Sequence, residues 1–154
     1  MFIVSDYEPG PKTWADEDDA VRQYAADPHL APREIIVAAS EKDRATPPPD
    51  WSSLGSDVRV IYVDSDQSAT MKDAATAEAS NDLVAVIEAD CLSEPGWLAA
   101  LLAEMERQPD LDAVSGLTMY EPTSALRRAA SLLDRAFVLQ TLPDGRFFHV
   151  SING

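Results

Sequence analysis

The run Leu83-Val84-Ala85-Val86-Ile87-Glu88-Ala89-Asp90-Cys91 decides the fold. Its first half is apolar and rich in β-branched residues, which predicts a strand over Leu83 to Glu88 covered on both faces, as in a parallel sheet between layers of helices. The strand then ends in two carboxylates one residue apart. In open parallel sheets ligands bind beyond the carboxyl ends of the strands, where Glu88 and Asp90 are expected to lie. Residues at i and i+2 of an extended segment point the same way, so both carboxylates can converge on one hard divalent cation, Mg2+ or Mn2+. Such an ion could grip a diphosphate. The plain alternative is that these acids cap the next helix or lie in a solvated loop.

The same alternation runs outward in both directions. Further strands are expected over Phe2 to Tyr7, Glu34 to Ala39, Val58 to Val63, Ala113 to Met119 and Arg146 to Ile152, with helices over Trp14 to Ala26, Met71 to Ser80, Pro95 to Arg107 and Ser124 to Leu139. This is a βαβα pattern, hence an α/β fold, a three-layer α/β/α sandwich around a mostly parallel sheet. Thr13 is placed to cap the first helix, whose acidic run Asp16-Glu17-Asp18-Asp19 suits the positive end of the helix dipole and reads as solvated. Asp27-Pro28 should end it. Ser93 is expected to cap the helix that follows the acidic pair, and Trp97, Leu98, Leu101, Leu102 and Met105 recur on it at core spacing. Thr46-Pro47-Pro48-Pro49-Asp50 reads as a stiff surface connector without a helix of its own.

Composition narrows the function. The 154 residues carry 12 Lys and Arg against 27 Asp and Glu, a formal charge of −15, with 45% hydrophobic residues. That suits one domain with a real core and disfavours a basic groove for nucleic acid. A bound cation would supply the positive charge that such an acidic domain lacks. The single cysteine, Cys91, forms no intrachain disulfide and points to a reducing, cytoplasmic setting. No signal segment or apolar run of ~18 residues is present, so no transmembrane segment is expected. The end at Ser151-Ile152-Asn153-Gly154 is abrupt, and the reading is one domain over 1–154, incomplete at its C-terminus.

Several stretches resemble the large inverting glycosyltransferase family 2, of the GT-A fold. Pro32-Arg33-Glu34-Ile35-Ile36-Val37 is similar to that family's second strand and Val58-Arg59-Val60-Ile61 to its third. Met71-Lys72-Asp73-Ala74-Ala75, leading to Asn81 and on to Asp90, resembles its A-R-N-x-G helix and D-x-D motif without gaps. Glu94-Pro95-Gly96-Trp97-Leu98 resembles the helix start that follows, and Asp112-Ala113-Val114-Ser115-Gly116 the strand ending in glycine.

The resemblance implies transfer of a sugar from a nucleoside-diphosphate donor to a hydroxyl acceptor, with inversion and with Mg2+ or Mn2+ as cofactor. It implies that Asp90 ligates the metal and that Glu88 stands where the first motif aspartate meets the donor's ribose or the metal. Tyr7 and Glu8 fall where the family frames the nucleobase, and Lys72 and Asp73 where it lines the donor pocket. Ser40 ends the run Ala38-Ala39-Ser40, which replaces the family's uracil-contacting aspartate, and Asp73 replaces an asparagine. The catalytic base has no assignment. Asp144, the only late carboxylate in a loop, sits in the Pro-Asp-Gly turn signal.

Two rival readings remain. One is a degenerate transferase-like module that binds a nucleotide sugar or a protein without catalysis. The other is a nucleotidyltransferase, disfavoured because Glu8-Pro9-Gly10-Pro11-Lys12 lacks the basic glycine-rich character of a triphosphate loop. Cys91 as a nucleophile lacks a local motif linking it to His29 or His149, and Arg127, Arg128 and Arg135 read as a salt-bridging helix face.

Overall fold

The computed structural model describes residues 2–4, 11–91, 93–116, 124–126 and 129. In chain order they form β1 (Phe2–Val4), α1 (Ala15–Ala25), β2 (Glu34–Ser40), a 3-10 turn (Glu41–Ala45), β3 (Asp57–Val63), α2 (Ser68–Glu78), β4 (Val86–Glu88) and α3 (Trp97–Arg107). The chain divides into two compact units, residues 1–114 and 115–154, and all of these elements belong to the first. In the second, Ala125, Leu126 and Ala129 are helical. The expected final strand and most of the expected late helix lie outside the described residues, and residues 113–116 carry no regular structure.

Among the described residues the sheet is parallel, in the order β3-β2-β1-β4. Parallel neighbours cannot be joined by a tight turn: α1 makes the crossover from β1 to β2 and α2 that from β3 to β4, while β2 reaches β3 through the 3-10 turn and the proline-rich connector. Alternation along β2 sorts the core into two halves. Ile35, Val37 and Ala39 face one side and join Trp14, Ala20, Val21 and Tyr24 of the α1 region, together with Ile87 and Ala89. Ile36 and Ala38 face the other and meet Met71 and Ala75 of α2. Helices therefore cover both faces, which is the three-layer sandwich that the sequence pattern and the resemblance imply. Ile35, Ile36 and Val37 are fully buried, each worth roughly 1.5–3 kcal/mol of apolar transfer.

Burial differs from expectation in the outer strands. Of β2, β3 and β4, only β2 is buried along its whole length, because it lies inside the sheet while the other two are its edges. β3 is an edge and is half-buried from Val58 to Val63. β4 is shorter than the apolar run, with Leu83 to Ala85 irregular, and Leu83 and Val86 are 56% and 45% exposed.

The helix ends also depart from the reading. Trp14, not Thr13, is the N-cap residue of α1, in the left-handed conformation at φ 62°. Thr13 Oγ1 accepts only a long bond from Ala15 N, 3.4 Å. The indole explains the exchange: it is buried, donates from Nε1 to the Thr46 carbonyl at 2.9 Å and meets Tyr62 edge-on. The acidic run is not uniformly solvated either. Glu17 is buried and paired with Lys12, whose ammonium also lies over the Trp14 ring. The core stripe of α3 is half-buried rather than sealed, with Trp97 packed against Tyr24.

Candidate functional site

Strand order fixes where a ligand can sit. From β1 the chain moves outward to β2 and β3, then returns to place β4 on the other side of β1, so the direction of winding reverses between β1 and β4. The carboxyl end of a parallel sheet opens a crevice at such a reversal. Glu88 stands there, paired in register with Val4.

Along β4 the pleat sends Ile87 into the α1 side of the core and Glu88 to the opposite, α2 side. Lys72 on α2 meets it, Nζ to Oε1 2.8 Å, with the two side chains 24% and 31% exposed. After Glu88 the extended backbone stops. Cys91 N donates to the Glu88 carbonyl at 3.0 Å, closing a turn over residues 88–91. The i, i+2 geometry expected for the carboxylate pair is thus replaced by a turn, because Asp90 lies past the strand's last residue. The outcome is still convergence: ligand atoms of Glu88, Asp90 and Cys91 lie within 4.8 Å of one another.

Across an ion that holds oxygens at ~2.1 Å, opposite ligands are ~4.2 Å apart, close to the 4.8 Å within which these donor atoms lie. Two carboxylates suit Mg2+ or Mn2+, and the adjacent thiol tilts the set toward the softer of the two. The donor set therefore fits a divalent cation.

The turn is followed by a loop clamped to α1 and the segment after it. Gln23 Nε2 donates to the Ser93 carbonyl at 2.5 Å, and the Tyr24 and Ser93 hydroxyls share a hydrogen bond of 2.6 Å. Burial pushes the Tyr24 phenol up, partly offset by that bond. Ser93 is thereby engaged away from the helix it was expected to cap, and Gly96 at φ 80° is the N-cap residue of α3. Asp27 accepts from His29 N at 2.7 Å, Leu30 N at 3.2 Å and Gly96 N at 3.1 Å. The backbone N–H of His29, then that of Gly96, holds its carboxyl below the usual range.

A second polar cluster lies past the ends of β2 and β3. Ser40 is buried, and its hydroxyl donates to Asp66 Oδ1 at 2.6 Å, while Lys42 Nζ is 2.8 Å from the other oxygen. Lys42, then Ser40, keeps the Asp66 carboxyl below its ordinary value. Sequence reasoning named Ser40 but missed Asp66, and no spacing in the chain links residues so far apart. Beside it, the Arg44 guanidinium stacks 4.3 Å from the Tyr62 ring centroid.

Of the other candidates, Lys72 is brought to Glu88 and Asp73 is exposed on the same helix. Tyr7, Glu8, Asp144 and His149 lie outside the described residues. The His29 ring packs against Gly96. Among the described residues, no helix is long and apolar enough to cross a membrane.

A model of the family described as "Glycosyl transferase family 2" matches residues 30–150. Neither curated proteins nor solved structures gave a match.

Proposed function

Since the chain belongs to glycosyl transferase family 2, we propose that it holds a nucleoside-diphosphate sugar at the β1/β4 crevice and moves the sugar to a hydroxyl acceptor with inversion. The observation that carries this reading is the convergence of Glu88, Asp90 and Cys91 at the point where the sheet reverses. Asp90, the exposed member, and Glu88 are the residues to hold Mg2+ or Mn2+. Such an ion, when bound, offsets the charge that grows on the departing diphosphate.

The protein's own groups supply the rest. The loop clamps at Ser93 and Gly96 steady the turn that carries Asp90, so its carboxylate meets the donor with little reorganisation. Lys72 adds a local cation in a strongly acidic chain. Ser40 and Asp66 provide a hydroxyl and a carboxylate past the β2 and β3 ends for the nucleoside, with Tyr7 and Glu8 framing the base and Asp73 lining the pocket. Displacement also needs a base to take the acceptor's proton, and that role has no assignment.

The test is thermal shift with UDP and GDP, with and without Mn2+, followed by a donor-hydrolysis screen. Stabilisation by nucleotide that requires Mn2+ and vanishes in Asp90→Ala supports donor binding, and sugar release establishes turnover. Equal stabilisation of the variant refutes the assignment. A second reading, donor binding without turnover, is favoured by the run Ala38-Ala39-Ser40 standing where the family carries an aspartate. Nucleotide binding with no sugar release from any donor would select it.

A further inference from the structure

The two carboxylates of the acidic turn are not in the same state. Glu88 has a tethered ammonium 2.8 Å away, whereas Asp90 is exposed and makes no ion pair among the described residues. An arriving divalent ion therefore finds one open carboxylate and one already neutralised. Formally Glu88, Asp90 and Lys72 sum to −1, and without Lys72 to −2.

Resting on the function proposed above, we propose that Lys72 is a resident counter-ion of Glu88 that makes the site load cation and nucleotide together, and take up the bare cation poorly. A cation arriving alone must displace the ammonium and brings no anion to replace Glu88 as its partner. A cation arriving with a nucleoside diphosphate brings phosphate oxygens that give the ammonium a new partner. Lysine suits this exchange, being a point charge on a flexible stem, while the position on α2 keeps it within reach of the crevice. The pair is only partly shielded from water, so the barrier to exchange is low. The gain for the protein is discrimination: the cluster stays unloaded by ambient divalent ions until a donor is present.

The experiment titrates Mn2+ alone into the full chain, following the free-ion electron paramagnetic resonance signal, and repeats the titration with UDP present. Lys72→Met is expected to tighten binding of Mn2+ alone by roughly fivefold or more, as a freed carboxylate joins the site, and to weaken Mn2+-dependent UDP binding. Lys72→Arg, which keeps the charge, should leave Mn2+ alone binding as weakly as in the wild type. Arg107→Met, which removes a cation paired with Glu104 on α3, controls for the change in net charge and should match the wild type. Circular dichroism verifies folding, and Lys72→Gln serves if the methionine variant unfolds.

Unchanged or weaker Mn2+ binding in Lys72→Met or Lys72→Gln, a gain in Lys72→Arg as large as in Lys72→Met, or an equal gain in Arg107→Met overturns the inference while leaving the donor site standing. A wild type that binds neither Mn2+ nor UDP with Mn2+ overturns the functional reading and this one with it.

Discussion

Two acidic constellations lie at opposite ends of the same parallel sheet, and they are built differently. Glu34, at the amino end of β2, is buried and saturated with donors: Arg59 Nη2 at 3.0 Å, Ser80 N at 3.1 Å, Ser80 Oγ at 3.0 Å and Asn81 Nδ2 at 3.4 Å. It ties β2 to β3 and to the chain leaving α2. At the carboxyl end, Glu88 pairs with Lys72 and Asp90 is open to water. A carboxylate whose lone pairs are all used serves the fold; one with lone pairs to spare is available to a ligand. Sequence alone does not separate the two, since both are acids at strand ends.

The contrast can be broken by exchanging which property each residue controls. The largest expected effect is on binding: Asp90→Asn should weaken Mn2+-dependent UDP binding by about 100-fold or more, read by calorimetry. Its unfolding free energy from urea titration should stay within ~0.5 kcal/mol of wild type, because the residue is exposed. Glu34→Ala should do the reverse. It leaves the Ser80 N–H without its acceptor, while Arg59 keeps Glu78 as a partner, and is expected to cost about 1–3 kcal/mol by urea unfolding. Loss of stability in the first variant or of binding alone in the second would dissolve the distinction.

Gly96→Ala sharpens it, because it perturbs the clamp behind the acidic turn without touching a carboxylate. An added Cβ would sit 3.1 Å from His29 Cδ2 at a backbone φ of 80°, and the left-handed conformation costs a non-glycine residue about 1–2 kcal/mol. Lower stability, with nucleotide affinity reduced only where the turn shifts, is the expected outcome of paired unfolding and binding measurements.

The smallest effect is in pH. Hydrogen bonds from the Ser80 backbone first, then from Arg59, lower the Glu34 pKa. The folded state therefore binds this proton less readily than the unfolded chain. Its contribution is complete above the ordinary glutamate pKa near ~4.3 and is lost as pH falls through the depressed folded value. The stability gap between wild type and Glu34→Gln should be constant from neutrality to about pH 5 and narrow below that range. A gap that widens on acidification contradicts the assignment.

Much of the fold was legible because periodicity reports burial. The β-branched runs located β2, β3 and β4, and alternation along β2 fixed its two faces. The caps were not legible, since what displaced Thr13 and Ser93 were contacts with residues far away in sequence, Thr46 for the Trp14 indole and Tyr24 for the Ser93 hydroxyl. The acidic run of α1 misled for the same reason: Lys12, before the helix, turns back over Glu17. At the candidate site, Glu88, Asp90 and Lys72 were each named from the motif. The Lys72–Glu88 pairing was not, because it joins a helix face to a strand end across the sheet's edge.

The turn over residues 88–91 carries its three donor atoms within four consecutive residues, so a denatured chain keeps them adjacent. Linkage then works against a bare cation as a stabiliser, because whatever affinity the unfolded ensemble retains is subtracted from the melting-temperature gain. Under the function proposed above, a nucleotide would draw on groups that only the assembled sheet brings together. Heat resistance conferred by the donor therefore reports the native architecture, and that conferred by the ion reports little beyond a short peptide.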